Sequence, residues 1–87
     1  MKNVSPDWKI VDNHHLERAF KFPDWKTALA FVNKVGDVAE ELGHHPDVEL
    51  GWGRVVLRLR THDEKKVGAK DFLLAERVDT LPLPAPK

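Results

Sequence analysis

The stretch PDWKTALAFVNKVGDVAEELG, residues Pro23 to Gly43, most constrains what this chain can fold into. Trp25, Ala28, Leu29, Val32, Val35, Ala39 and Leu42 recur at helical spacing, and Phe31 and Val38 widen that apolar stripe. Asp24 stands where an N-cap carboxylate accepts first-turn N–H groups. Gly43 stands where a left-handed residue closes a helix, with Pro46 beyond it. A helix between these signals is expected, and its apolar stripe has to be covered by the rest of the chain. Gly36 weakens such a helix by about 1 kcal/mol relative to alanine and is read as the mark of a close contact with a neighbouring element.

Alternation of period two supplies the cover. WKIV (Trp8 to Val11) and HLERAFKF (His15 to Phe22) read as a strand pair around DNH, with Leu16, Phe20 and Phe22 on one face and Arg18 interrupting it. DVELGWGRVVLRLRTH reads as a second hairpin. Val48, Leu50 and Trp52 alternate on its incoming arm, and Val55, Leu57 and Leu59 on its outgoing arm. AKDFLLAERVDTL is a second helix with Leu74, Ala75 and Val78 as its core face and Val67 packing just before it. The tail PLPAPK cannot continue a helix and is expected to run extended over the surface. The order ββα-ββα predicts an α+β fold, a four-stranded antiparallel sheet with two helices packed on one face. Residues 1–87 form one domain on this reading, with 1–7 and 82–87 as loose ends.

A chain of 87 residues buries only roughly 60–65% of its unfolded surface, so its core is marginal and self-association is expected. The uncovered sheet face or an edge strand offers a surface for it. Formal net charge is zero, which gives no basic excess for nucleic acid or an anionic membrane. There is no cysteine, so disulfides, thiolate nucleophiles and cysteine-based zinc sites are excluded together. MKNVSPDWKI lacks the apolar core of a signal peptide, and the longest apolar run, ALAFV, is too short to span a bilayer. A cytoplasmic location is the expectation.

The chain has five histidines: His14, His15, His44, His45 and His62. His14 and His15 fall in a predicted turn beside Asn13 and Glu17, where solvation is the simpler reading. His44 and His45 sit between Gly43 and Pro46, on a short, stiff connection at a sheet end, one helical turn after Glu40. His44 as a cationic cap on the helix C-terminus is the structural alternative. His62 ends the fourth predicted strand, which returns antiparallel toward Asp47 and thus toward the histidine pair. A three-histidine zinc site fits poorly. Adjacent residues on an extended segment point to opposite faces, and no His-Glu-x-x-His motif is present. General acid–base chemistry fits better, because imidazoles titrating near pH ~6.5 can give a proton at one atom and take one at the next. The only serine, Ser5, lies in the polar N-terminal lead, so serine nucleophile chemistry has no support.

Glu40, the run His44-His45-Pro46, the aromatic Trp52, His62 preceded by Thr61 and followed by Asp63, and then Asp71 together resemble the motif of the pterin-4a-carbinolamine dehydratases. That family is also known as the dimerization cofactors of a homeodomain transcription factor. The early Trp8 and the ββα-ββα order extend the resemblance over almost the whole chain. It implies dehydration of 4a-hydroxytetrahydropterin to quinonoid dihydropterin, in recycling of the tetrahydropterin used by an aromatic amino acid hydroxylase. No metal and no redox cofactor are implied. By the resemblance, His44, His45 and His62 are the active-site histidines, with His44 and His62 as the acid–base pair and His45 mainly binding the pterin. Glu40 orients an imidazole or hydrogen-bonds the pterin, Pro46 shapes the wall, and Thr61 and Asp63 frame the pterin beside His62. Trp52 and Asp71 read more readily as structural, Asp71 as a helix N-terminal cap. Gly43 replaces an acidic residue frequent in the family, and Arg60 a small hydroxyl residue common in its animal members. A homodimer or homotetramer is implied.

Two other readings stand beside the enzyme. One is a protein-interaction module of the coactivator kind, and the other is a pterin-binding protein without turnover. Intact pterin binding with no rate enhancement would mark the latter.

Overall fold

The computed structural model describes residues 5–12, 14–61 and 67–82. Its elements are β1 (Lys9–Val11), β2 (His15–Lys21), α1 (Trp25–Leu42), β3 (Asp47–Gly51), β4 (Arg54–Leu59) and α2 (Ala69–Asp79). The four strands form one sheet in the order β1-β2-β4-β3, with every neighbouring pair antiparallel. The α+β arrangement expected from the alternation is therefore the one observed. No helix among the described residues is long and apolar enough to cross a membrane.

Alternation sorts the sheet into two unlike faces. Leu16, Phe20, Val55, Leu57 and Leu59 point to the helix side and are buried. Phe31 of α1 stacks over this layer, its ring centroid 4.7 Å from that of Phe20 and 5.1 Å from that of Phe22. On the opposite face Arg58 bridges two strands, its Nε donating to Glu17 at 3.0 Å and its NH1 to Glu49 at 3.3 Å. Val56, on that same face, is buried beneath these charged side chains. The open face of the sheet is thus shielded by charge rather than left apolar.

Both ends of α1 follow their local signals. Asp24 Oδ1 accepts the Thr27 N–H at 2.8 Å. At the other end Gly43 takes φ 66°, its N–H donates to Glu40 O, and the His44 N–H donates to Ala39 O. These two bonds form a Schellman closure, which satisfies the last carbonyls and directs the chain out of the helix at His44.

The apolar stripe of α1 is rotated from its expected position. Ala28, Phe31, Val35, Val38 and Ala39 are buried and Val32 and Leu42 partly so, but Trp25 and Leu29 remain 46% and 39% exposed. The reason is tertiary. α2 flanks the side of α1 that carries Glu41, where Arg77 pairs with it. Trp25 and Leu29 lie on the opposite flank, which no described element covers. Gly36, read as a close-contact position, has nothing within 4 Å of where a Cβ would stand. Val48 and Trp52 are likewise exposed, at 41% and 69%, because β3 is an edge strand and Trp52 sits in the turn beyond it.

Arg18, which interrupts the β2 pattern, has a partner on α2. Its NH1 donates to Asp79 Oδ1 at 2.7 Å, and its guanidinium lies 4.5 Å from the Phe20 ring centroid. Asp79 also accepts the Trp8 indole N–H at 2.8 Å and the Ser5 backbone N–H at 2.8 Å. One carboxylate thereby joins the N-terminal segment, β2 and the end of α2. Of the expected loose ends, residues 1–4 and 83–87 lie outside the described residues.

Candidate functional site

The backbone closure at Gly43 delivers His44 and His45 to the junction between α1 and β3, and Pro46 keeps the connection extended. On an extended segment their side chains diverge, and the two histidines meet different surroundings. His44 is 11% exposed and turns inward, where its Nε2–H donates to Asp71 Oδ1 at 2.6 Å. His45 is 55% exposed and turns outward, where its Nε2 pairs with Glu40 Oε2. Glu40 was expected to orient an imidazole, and the one it meets belongs to His45. Pro46, which follows His45, is half-buried.

Asp71 is fully buried, and its two oxygens take three donors. Oδ1 faces His44, while Oδ2 accepts the Gly68 N–H at 2.8 Å and the Thr61 hydroxyl at 3.0 Å. The expected cap role at the third position of α2 is real, since Gly68 N is an N-terminal donor of that helix. Capping occupies one oxygen and leaves the other for His44, a part that spacing along the chain did not reveal. Close backbone approach tightens the corner further: a Cβ at Gly68 would stand 2.7 Å from Thr61 Oγ1. A chain of hydrogen bonds therefore runs Thr61–Asp71–His44, tying the end of β4 and the start of α2 to the α1–β3 junction. His62 and Asp63, expected to complete the constellation, lie outside the described residues.

With Nε2–H committed to the carboxylate, His44 has its Nδ1 lone pair left, and among the described residues nothing hydrogen-bonds it. A buried carboxylate on one ring nitrogen fixes the tautomer and stabilises the imidazolium that forms when the other nitrogen takes a proton. Such a dyad can accept a proton, hold it and return it. Among the described residues no group of three or more His, Cys, Asp or Glu side chains is arranged to hold a metal ion.

The other histidine pair lies apart, at the β1–β2 turn on the open sheet face. His14 and His15 are half-buried and joined Nδ1 to Nδ1 at 2.9 Å, so free solvation does not describe them. Arg60 NH1 lies 3.4 Å from His14 Nε2, and an arginine can only donate, so the His14 Nδ1–H is the donor to His15. His15 Nε2 in turn reaches Glu17 at 3.3 Å. Burial opposes ionisation of Glu17, yet hydrogen bonds from His15 and Arg58 outweigh it and hold the carboxyl below its ordinary value. Trp52, in its exposed turn, makes no part of the His44 cluster.

Comparison with known proteins identifies a family and a shared fold. Residues 1–81 match the family described as pterin 4 alpha carbinolamine dehydratase. A relative from Rubrobacter xylanophilus, provisionally named a pterin-4-alpha-carbinolamine dehydratase, is 47% identical over 76 residues, covering 87% of this chain and 71% of its own length. Among solved structures, a transcriptional coactivator/pterin dehydratase from Brucella melitensis superposes with a TM-score of 0.79 at 35% identity, over 85% of this chain and 80% of that one. A pterin dehydratase-like protein identified as a RuBisCO assembly factor in the alpha-carboxysome superposes with a TM-score of 0.71 at 25% identity, over 84% of this chain and 86% of that one. With the match running through both hairpins and both helices, the chain belongs to the pterin-4a-carbinolamine dehydratase family.

Proposed function

We propose that the chain dehydrates 4a-hydroxytetrahydropterin to the quinonoid dihydropterin, in recycling of the tetrahydropterin that an aromatic amino acid hydroxylase consumes. The observation that carries this reading is the buried His44–Asp71 pair at 2.6 Å, an acid–base group built at the family's histidine motif. In the reaction the C4a–O bond breaks, the departing hydroxyl takes a proton to leave as water, and N5 gives up its proton. Two groups are needed, one acid and one base. His44, its imidazolium stabilised by Asp71, is one of them, and His62 is assigned as the other. His45, paired with Glu40 at the surface, binds the pterin, with Pro46 and Asp63 lining its seat. Thr61 acts through its hydrogen bond to Asp71 and so holds His44 in place. The cytoplasm is the proposed setting.

A non-catalytic reading, a pterin-binding or protein-interaction module, draws on the likeness to the RuBisCO assembly factor. Stopped-flow absorbance of carbinolamine dehydration separates the two. The enzyme reading expects His44→Ala and His62→Ala each to lose roughly 10²-fold or more of the rate acceleration. Pterin binding without any acceleration by the unaltered chain favours the module.

A further inference from the structure

Four of the five arginines hydrogen-bond a carboxylate: Arg18 with Asp79, Arg54 with Glu49, Arg58 with Glu17 and Glu49, and Arg77 with Glu41. Among the described residues Arg60 is the exception. Its NH1 donates to His14 Nε2 at 3.4 Å, a long contact, and its Nε stands 3.8 Å from Asp47 Oδ2, beyond hydrogen-bond reach. A guanidinium carries five N–H donors in a rigid fork, and here Nε and NH2 hydrogen-bond no described residue. The side chain is only 33% exposed, so water covers it incompletely.

Arg60 also stands beside the candidate site. Asp47 pairs with Arg58 across β3 and β4, and the same antiparallel register, continued by two residues, sets His45 across from Arg60. His45 is the residue assigned above to bind the pterin. Along the chain Arg60 directly precedes Thr61, whose hydroxyl donates to Asp71. The dehydration needs an acid and a base, and an arginine, always charged, is neither. What a fork of unused donors does well is recognise a carboxylate or a phosphate, which it grips in two parallel hydrogen bonds. We propose that Arg60 is a specificity residue, binding an anionic group, carboxylate or phosphate, on the side chain of the pterin. His14 orients the guanidinium by accepting from NH1, and the nearby Asp47 carboxylate opposes the incoming anion. The inference rests on the pterin reading above and adds a substrate class to it.

Fluorescence titration of the full chain with three pterins tests the proposal: 6-hydroxymethylpterin, its phosphate ester and pterin-6-carboxylate. The wild type should bind at least one anionic probe roughly tenfold more tightly than the neutral one, an advantage that shrinks as salt is raised. The tail that gains identifies which anion Arg60 takes. Arg60→Ser should erase the advantage, and Arg60→Lys, which keeps the charge but not the fork, should retain part of it. Asp47→Asn should enlarge it, because an opposing charge is removed at a side chain 59% exposed. Effects of opposite sign at the two positions would not come from a folding defect. Equal affinity of the wild type for all three probes, an advantage that survives Arg60→Ser, or anionic binding weakened by Asp47→Asn would each overturn the proposal. A wild type that binds none of the probes would overturn it too. Stopped-flow acceleration of carbinolamine dehydration by that same protein would leave the pterin reading standing.

Discussion

His44 and Asp71, 27 positions apart in the chain, meet at 2.6 Å across the junction of α1, β3 and α2. Neither is placed by the other's local structure. The Schellman closure at Gly43 directs His44, and the first turn of α2 directs Asp71. Their meeting is a tertiary fact, and it makes one carboxylate serve both as a helix cap and as the partner of an imidazole.

Asp71→Asn keeps the size and the possibility of a hydrogen bond but removes the charge that stabilises the imidazolium. The turnover number for carbinolamine dehydration should fall by about tenfold or more while KM changes little, because the loss is confined to the proton-transfer step. Asp71→Ala should in addition destabilise the fold by roughly 2–4 kcal/mol, through loss of the cap and of a partner for the half-buried Thr61 and Gly68 donors. Steady-state kinetics beside thermal unfolding of the two variants checks both statements.

Asp79 offers a contrast, since it gathers Ser5 N–H, the Trp8 indole and Arg18 far from the histidine motif. Asp79→Ala leaves Arg18, whose side chain is 13% exposed, with only the exposed Asp7 carboxylate 3.4 Å away, and also removes the partner of the Trp8 indole; it should cost roughly 2–3 kcal/mol of stability. The specific activity of the folded fraction should be unchanged. Urea unfolding monitored by tryptophan fluorescence reads the first effect, and dehydration rates below the transition read the second.

Acid should loosen the open face of the sheet. Because Glu17 has a folded-state pKa below its ordinary value, its contribution is present above the unfolded value of 4.5 and is lost as pH falls through the lower folded one. Its side chain is more than a third exposed and screened by water, so the effect should stay below about 1 kcal/mol. Glu17→Gln should therefore reduce stability at pH ~7 and flatten the loss of stability between pH ~5 and ~3, as followed by circular dichroism.

How much of this was legible in the chain depended on whether the determining contact was local. Asp24 and Gly43 announce the ends of α1 because capping is settled within a few residues, and strand alternation announces the sheet because its period is intrinsic. Trp25 and Leu29 fit the helical stripe equally well, but periodicity cannot tell which flank a second helix will cover. Arg18 looked like an interruption of β2 until Asp79, 61 positions away, supplied its partner. At the site, the histidine pair was visible as a pair, and its divergence followed from the extended backbone. That Glu40 meets His45 while His44 meets Asp71 depends on side-chain directions at a corner built from three elements.

The central claim is catalysis of carbinolamine dehydration by a proton-transfer pair that includes His44. Its most direct test is the stopped-flow rate of 4a-hydroxytetrahydropterin dehydration with the purified chain against the spontaneous rate, with His44→Ala alongside at equal pterin occupancy. The account predicts clear acceleration by the wild type and a loss of roughly 10²-fold or more in the variant. A wild-type rate equal to the spontaneous one, or a His44→Ala variant as fast as the wild type, would contradict it.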